Sequence, residues 1–127
     1  MPNVDVDYNA LGQAMDTTWG RSSTPATAGY SVKFNLHGNK LSVTCGMMVN
    51  FGTEKEMIIT KRACAEESIS LINEVLSKVK ATYKQISDRS LTTKQVSSNE
   101  SLEIVGFGVH NPKRTACYRR KTIYEIG

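Results

Sequence analysis

Two runs of alternating residues restrict what this chain can fold into more than any other feature. Tyr30, Val32, Phe34 and Leu36 alternate with Ser31, Lys33 and Asn35, and beyond His37-Gly38-Asn39-Lys40 the alternation resumes with Leu41, Val43, Cys45, Met47, Val49 and Phe51. Successive side chains of a strand point to opposite faces, so a period of two sorts residues by face. With Gly38-Asn39 as a two-residue hairpin loop, counting outward pairs Leu36 with Leu41, Phe34 with Val43, Val32 with Cys45 and Tyr30 with Met47. All the apolar residues then share one face, and a slip of one residue would scatter them, so the register is strongly specified. The other face carries Ser31, Lys33, Asn35, Ser42, Thr44 and Asn50, a solvated composition.

A sheet with one apolar face needs a cover. The spacing predicts a helix from about Ala63 to Asp88, because Ile69, Ile72, Leu76, Val79, Tyr83 and Ile86 recur at intervals of three and four, with Leu71 and Val75 widening the stripe. Glu66 and Glu67 near its start and Lys78, Lys80 and Lys84 near its end complement the helix dipole. The same intervals suit a coiled coil, but fewer than four heptads beside a ready apolar sheet favour packing on the sheet. Before it, Met57-Ile58-Ile59-Thr60 reads as a short third strand on β-branched content. The rival reading starts the helix here, since Thr53 and Glu56 have capping-box spacing.

From Ser87 to Ser101 the chain is rich in Ser and Thr and reads as a connector. Leu102, Ile104, Val105, Phe107 and Val109 form the next strand, whose apolar phase changes across Gly106, the mark of a β-bulge. Asn111-Pro112 marks a turn, and Ala116 to Ile126 returns as the last strand, with Tyr118, Tyr124 and Ile126 on one side and Ile123 on the other. Residues 1 to 29 are mostly Asn, Asp, Ser, Thr, Gly and Ala, with a break at Thr24-Pro25. They read as a polar, extended arm with Tyr8, Leu11 and Trp19 as anchors on a partner, followed by one domain over 30 to 127. The expected fold is α+β: a predominantly antiparallel four- to five-stranded sheet, order β-β-(β)-α-β-β, with one long helix on its apolar face.

Length and composition narrow the function classes. A chain of 127 residues, 39% hydrophobic and 22% charged, builds one core without staples. No apolar run approaches the roughly 20 residues of a membrane helix, and the N-terminus lacks a secretory pattern, so a cytoplasmic protein is expected, in host cytoplasm or an assembled particle if viral. Three cysteines, Cys45, Cys64 and Cys117, without a CxxC spacing argue against disulfides, and with only His37 and His110 beside them no metal is expected. Asp5 and Asp7 sit in the arm, where nothing fixes a metal geometry. With no nucleophile elbow and no phosphate loop, neither a catalytic residue nor a cofactor is expected.

What remains is charge. The stretch from Asn111 to Lys121 holds five cations and no acid, while the whole chain has formal charge +4, so the positive field is local. Lys113, Arg114, Tyr118, Arg119, Arg120 and Lys121 are the candidate binding residues. Alternation puts Tyr118 and Arg120 on one side of the strand and Cys117, Arg119 and Lys121 on the other, a division that suits an edge or finger better than a flat platform. Nearby, Gly106-Phe107-Gly108-Val109 resembles a fragment of the RNA-recognition-motif core strand and is similar to the entry of the bacterial histone-like DNA-bending arm, which would imply nucleic-acid contact. The leading expectation is a non-enzymatic structural subunit of a homo- or hetero-oligomeric assembly, such as a phage or viral particle. A nucleic-acid-binding module using the basic hairpin is the alternative.

Overall fold

The computed structural model describes residues 5–22, 30–107 and 113–127. The element order is α1 (Tyr8–Ser22), β1 (Tyr30–His37), β2 (Lys40–Phe51), α2 (Glu54–Ser87), β3 (Thr93–Phe107) and β4 (Arg114–Ile126). The four strands make one sheet in the order β1-β2-β4-β3, and all three pairings are antiparallel. The α+β architecture, with a long helix over an antiparallel sheet, is as the sequence predicts.

The β1–β2 hairpin has the register that alternation requires, with Leu36 opposite Leu41, Phe34 opposite Val43, Val32 opposite Cys45 and Tyr30 opposite Met47. Gly38 takes φ +62°, the only positive φ at a described glycine, which suits a turn that places Gly at its first central position. The apolar rows continue into β4: Leu41 faces Tyr124, Met47 faces Tyr118 and Val49 faces Ala116. This face and α2 close the core, in which Leu41, Val43, Cys45 and Val79 are fully buried.

Helix α2 starts nine residues before the predicted Ala63, and the expected strand at Met57–Thr60 is helical. The capping chemistry overrides β-propensity. Thr53 accepts a hydrogen bond from the Glu56 amide at 3.1 Å, and Glu56 Oε2 accepts one from the Gly52 amide at 2.9 Å, so one donor that the first turn leaves over and the amide just ahead of the cap are both satisfied. The helix ends as predicted at Asp88, in the left-handed region at φ 57°, with its amide bonded to the Lys84 carbonyl. The predicted stripe is buried from Ile72 through Tyr83, while its outer members Ile69 and Ile86 remain about half exposed. It packs on the sheet.

Two further expectations are corrected. The supposed connector ends early, because β3 begins at Thr93 and is 15 residues long. Its first half lacks an apolar pattern because it lies at the sheet edge, where the ladder to β4 rather than burial holds it. Register shifts fall at Val96 and at Val105, so the bulge expected at Gly106 sits one residue earlier. The Asn111-Pro112 turn and the Thr24-Pro25 break lie outside the described residues.

The N-terminal segment is not extended. Asp7 caps α1, its Oδ1 accepting from the Ala10 amide at 3.1 Å, while its own amide donates to the Tyr83 hydroxyl at 3.0 Å. Arg89 donates to the Asp5 carbonyl at 2.9 Å. Val6, Ala10, Leu11 and Ala14 are buried in the common core, so this segment completes the core of its own chain. Leu11, expected to anchor on a partner, is fully buried there, and Tyr8 packs partly against the same core. The side chain of Trp19 lies outside the described residues.

Candidate functional site

The basic run of β4 divides between the two faces of the sheet as alternation requires, and the two halves have different chemistry. Tyr118 and Arg120 point beneath α2. Arg120 Nε donates to Ser68 Oγ at 3.0 Å, Nη1 to Ser98 Oγ at 2.9 Å, and Nη2 to Glu100 Oε2 and the Tyr118 hydroxyl, both at 3.1 Å. Tyr118 donates in turn to Glu100 Oε2 at 2.6 Å, and Lys61 Nζ stands 4.0 Å from Glu100 Oε1. The cluster clamps α2, β3 and β4 together. Burial, and then the bond to Glu100, push the Tyr118 hydroxyl pKa up. Arg120 has 11% of its side chain exposed and four of its five N–H donors used, so it and Tyr118 are not surface binding residues. No nucleophile is paired with a general base here, and the polar groups serve one another.

The opposite face of the sheet has no described element over it. Cross-strand register places Lys33, Thr44, Lys121 and Asn99 in one row, and Ser31, Gly46, Arg119 and Ser101 in the next. Lys33 and Lys121 are separated by one strand, hence by ~10 Å between backbones. Lys33, Arg119 and Lys121 are exposed and make no ion pair among the described residues. Beside Arg119 the missing side chain of Gly46 leaves a shallow depression, lined also by Tyr30, Ser31, Met48 and Cys117. A Cβ at Gly46 would lie 3.3 Å from Ser31 Oγ, a close contact that the exposed Ser31 hydroxyl would relieve by turning toward solvent.

Of the remaining candidates, Lys113 and Arg114 are exposed at the start of β4. Lys33 belongs to the cationic set although the basic run does not contain it. Its signal was its place on the polar side of the first alternation, which becomes informative only when β4 is known to lie next to β2. Among the described residues no three His, Cys, Asp or Glu side chains are grouped to hold a metal ion, and Asp7 is a helix cap. Burial raises the Cys45 thiol to a pKa of about 11, with Cys64 and Glu67 adding to the effect. No described helix is long and apolar enough to cross a membrane. Comparisons with protein-family models, curated proteins and solved structures find no match.

Proposed function

We propose that this chain is a non-enzymatic interaction subunit of a larger assembly, and that its open sheet face docks an acidic patch of a neighbouring protein. The observation that carries the reading is the cluster of Lys33, Arg119 and Lys121, exposed on a face with no described cover and unpaired among the described residues. Around them lie small neutral groups, Ser31, Thr44, Asn99 and Ser101, which let a partner approach and offer hydrogen bonds. A phage or viral particle is the setting expected of a small domain with an arm and a projecting basic hairpin; with Leu11 buried in the core of its own chain, only the basic hairpin still speaks for it.

Nucleic acid is the second reading, and one observation weakens it. Sheet platforms for single strands stack bases on exposed aromatic rings. Here Tyr118 and Tyr124 are buried under the helix, no described aromatic lies at an open-face position of the register, and the one ring that reaches that side, Tyr30, only borders the depression beside Arg119.

Fluorescence anisotropy separates the two readings, using a Glu-rich peptide and a single-stranded oligonucleotide at low and moderate salt. The acidic peptide is expected to bind, with affinity falling as salt rises. Combined Lys33→Glu, Arg119→Glu and Lys121→Glu substitution should abolish that binding while melting stays near wild type. Binding of the oligonucleotide alone, lost in the same variant, would establish the nucleic-acid reading instead. Binding of neither overturns both.

A further inference from the structure

Strand β3 is an edge strand of 15 residues, about three times the usual strand length. Such an edge presents a row of backbone donors and acceptors that another strand can pair with, and soluble proteins commonly shorten or shield it. Here Val96, Ile104 and Val105 along it are 42%, 43% and 54% exposed. Its register on β4 is regular from Ser97 to Ile104.

The charges of β3 are self-complementary in one antiparallel register. Directly opposed residues must lie on the same face, which restricts two-fold pairing of Ser97–Ile104 with itself to centres on single residues. Centred on Asn99, the pairing sets Glu100 opposite Ser98 and Ser101 opposite Ser97. Beyond these, Leu102 falls opposite the Gln95–Val96 bulge. The phase of the strand shifts at that bulge, so an outer strand meets the same extra residue, and Glu103 then arrives opposite Lys94. Both belong to the open face, since Glu103 pairs with Cys117 and Lys94 with Glu125 on β4. Both are exposed and free of ion pairs among the described residues. Two-fold symmetry makes the contact twice. A centre on Glu100 would instead oppose two carboxylates, and centres on Ser98 or Ser101 match no charges.

We infer that β3 pairs with β3 of a second copy of this chain, antiparallel about Asn99, joining two four-stranded sheets into one of eight strands with ion pairs between Lys94 and Glu103 at both ends. The contact is isologous and closed, so it stops at a dimer. It is independent of the open-face reading, although the joined sheet would present two cationic clusters on one surface.

Sedimentation equilibrium of the full chain over a wide concentration range tests it. The wild type is expected to dimerise. Glu103→Lys and Lys94→Glu, each placing like charges together twice, should weaken the dimer about tenfold at low salt. The double variant Lys94→Glu with Glu103→Lys should restore it. Arg119→Glu should leave the dimer constant unchanged while weakening acidic-peptide binding, which keeps the two proposals apart. Circular dichroism verifies that each variant is folded. A wild type that stays monomeric up to about 1 mM, growth beyond the dimer, or a charge swap that fails to restore association overturns the inference.

Discussion

Arg119 and Arg120 are neighbours in sequence and opposites in environment. Arg120 is held by Ser68, Ser98, Glu100 and Tyr118. Removing its guanidinium leaves the Glu100 carboxylate and Ser68 hydroxyl short of partners, and that desolvation cost exceeds what the bonds contribute on balance. Arg120→Ala is expected to cost about 2 to 3 kcal/mol in urea unfolding, below the full figure for a buried pair because Glu100 is 34% exposed. Arg119→Ala should stay within about 0.5 kcal/mol, the usual range for a surface position. Similar values for the two would refute the division of faces. Alternation alone made that division legible, but not that Arg120 would find an acid on its side, because Glu100 lay in what read as a connector. Cys45 permits a second measurement at this scale. Its folded pKa of about 11 lies above its ordinary 9.0, so between these pH values the unfolded chain releases a proton that the folded chain keeps. Stability attributable to Cys45 is therefore intact below pH 9 and falls as pH rises, by about 2 kcal/mol near pH 11. Cys45→Ala should flatten the pH dependence over that window relative to wild type, and an unchanged slope would rule the account out.

At the scale of elements, the instructive conflict is at the start of α2. Ile58-Ile59-Thr60 favours a strand locally, whereas Thr53 and Glu56 favour a helix start, and the structure follows the cap. β-propensity largely reflects fit to a half-buried pleated surface. Ile58 and Ile59 are 52% and 59% exposed, so they have no such surface to fit, and the hydrogen bonds of the cap decide. Thr53→Ala should then cost about 1 kcal/mol, read as a lower urea midpoint at constant slope, while Thr53→Ser should stay near wild type. Equal loss in both would mean that the side-chain oxygen is not what matters. The β1–β2 hairpin was fully legible because period two leaves it a single register. β3 was legible only from Leu102 onward, because an edge strand need not alternate: Ser97, Ser98 and Asn99 are held by pairing with Ile123, Thr122 and Lys121, and the Ser98 hydroxyl is shared with Thr122 at 3.2 Å.

For the whole molecule, the question is whether residues 5–16 fold with the domain or as an attachment to it. Their composition argued for an attachment, since few large apolar residues stand there and polar segments cannot offset their ordering entropy alone. The missed signal was small residues at helical spacing: Val6, Ala10 and Ala14 recur every four positions, with Leu11 beside them. Ala10 and Ala14 are 4% and 0% exposed, so α1 gains burial by lying close to its neighbours rather than by inserting large groups. Among the described side chains of this helix, Leu11, at 0% exposure, is the one large group fully buried in the core. Leu11→Ala removes it and leaves a cavity, which is expected to cost about 3 kcal/mol. Because the Asp7 amide is bonded to Tyr83 and Arg89 to the Asp5 carbonyl, that loss should be felt by α2 and the sheet as well as by α1. Urea unfolding followed by far-ultraviolet circular dichroism and by tyrosine fluorescence should show one coincident transition, shifted equally in both signals by Leu11→Ala. Amide exchange in α1 would then occur through the same global opening as exchange in β2 and β4. A detachable helix behaves differently. Its amides would exchange at low cost while the sheet stayed protected, and Leu11→Ala would leave the main transition where it was, returning residues 5–16 to the role of an arm free to grip a neighbour.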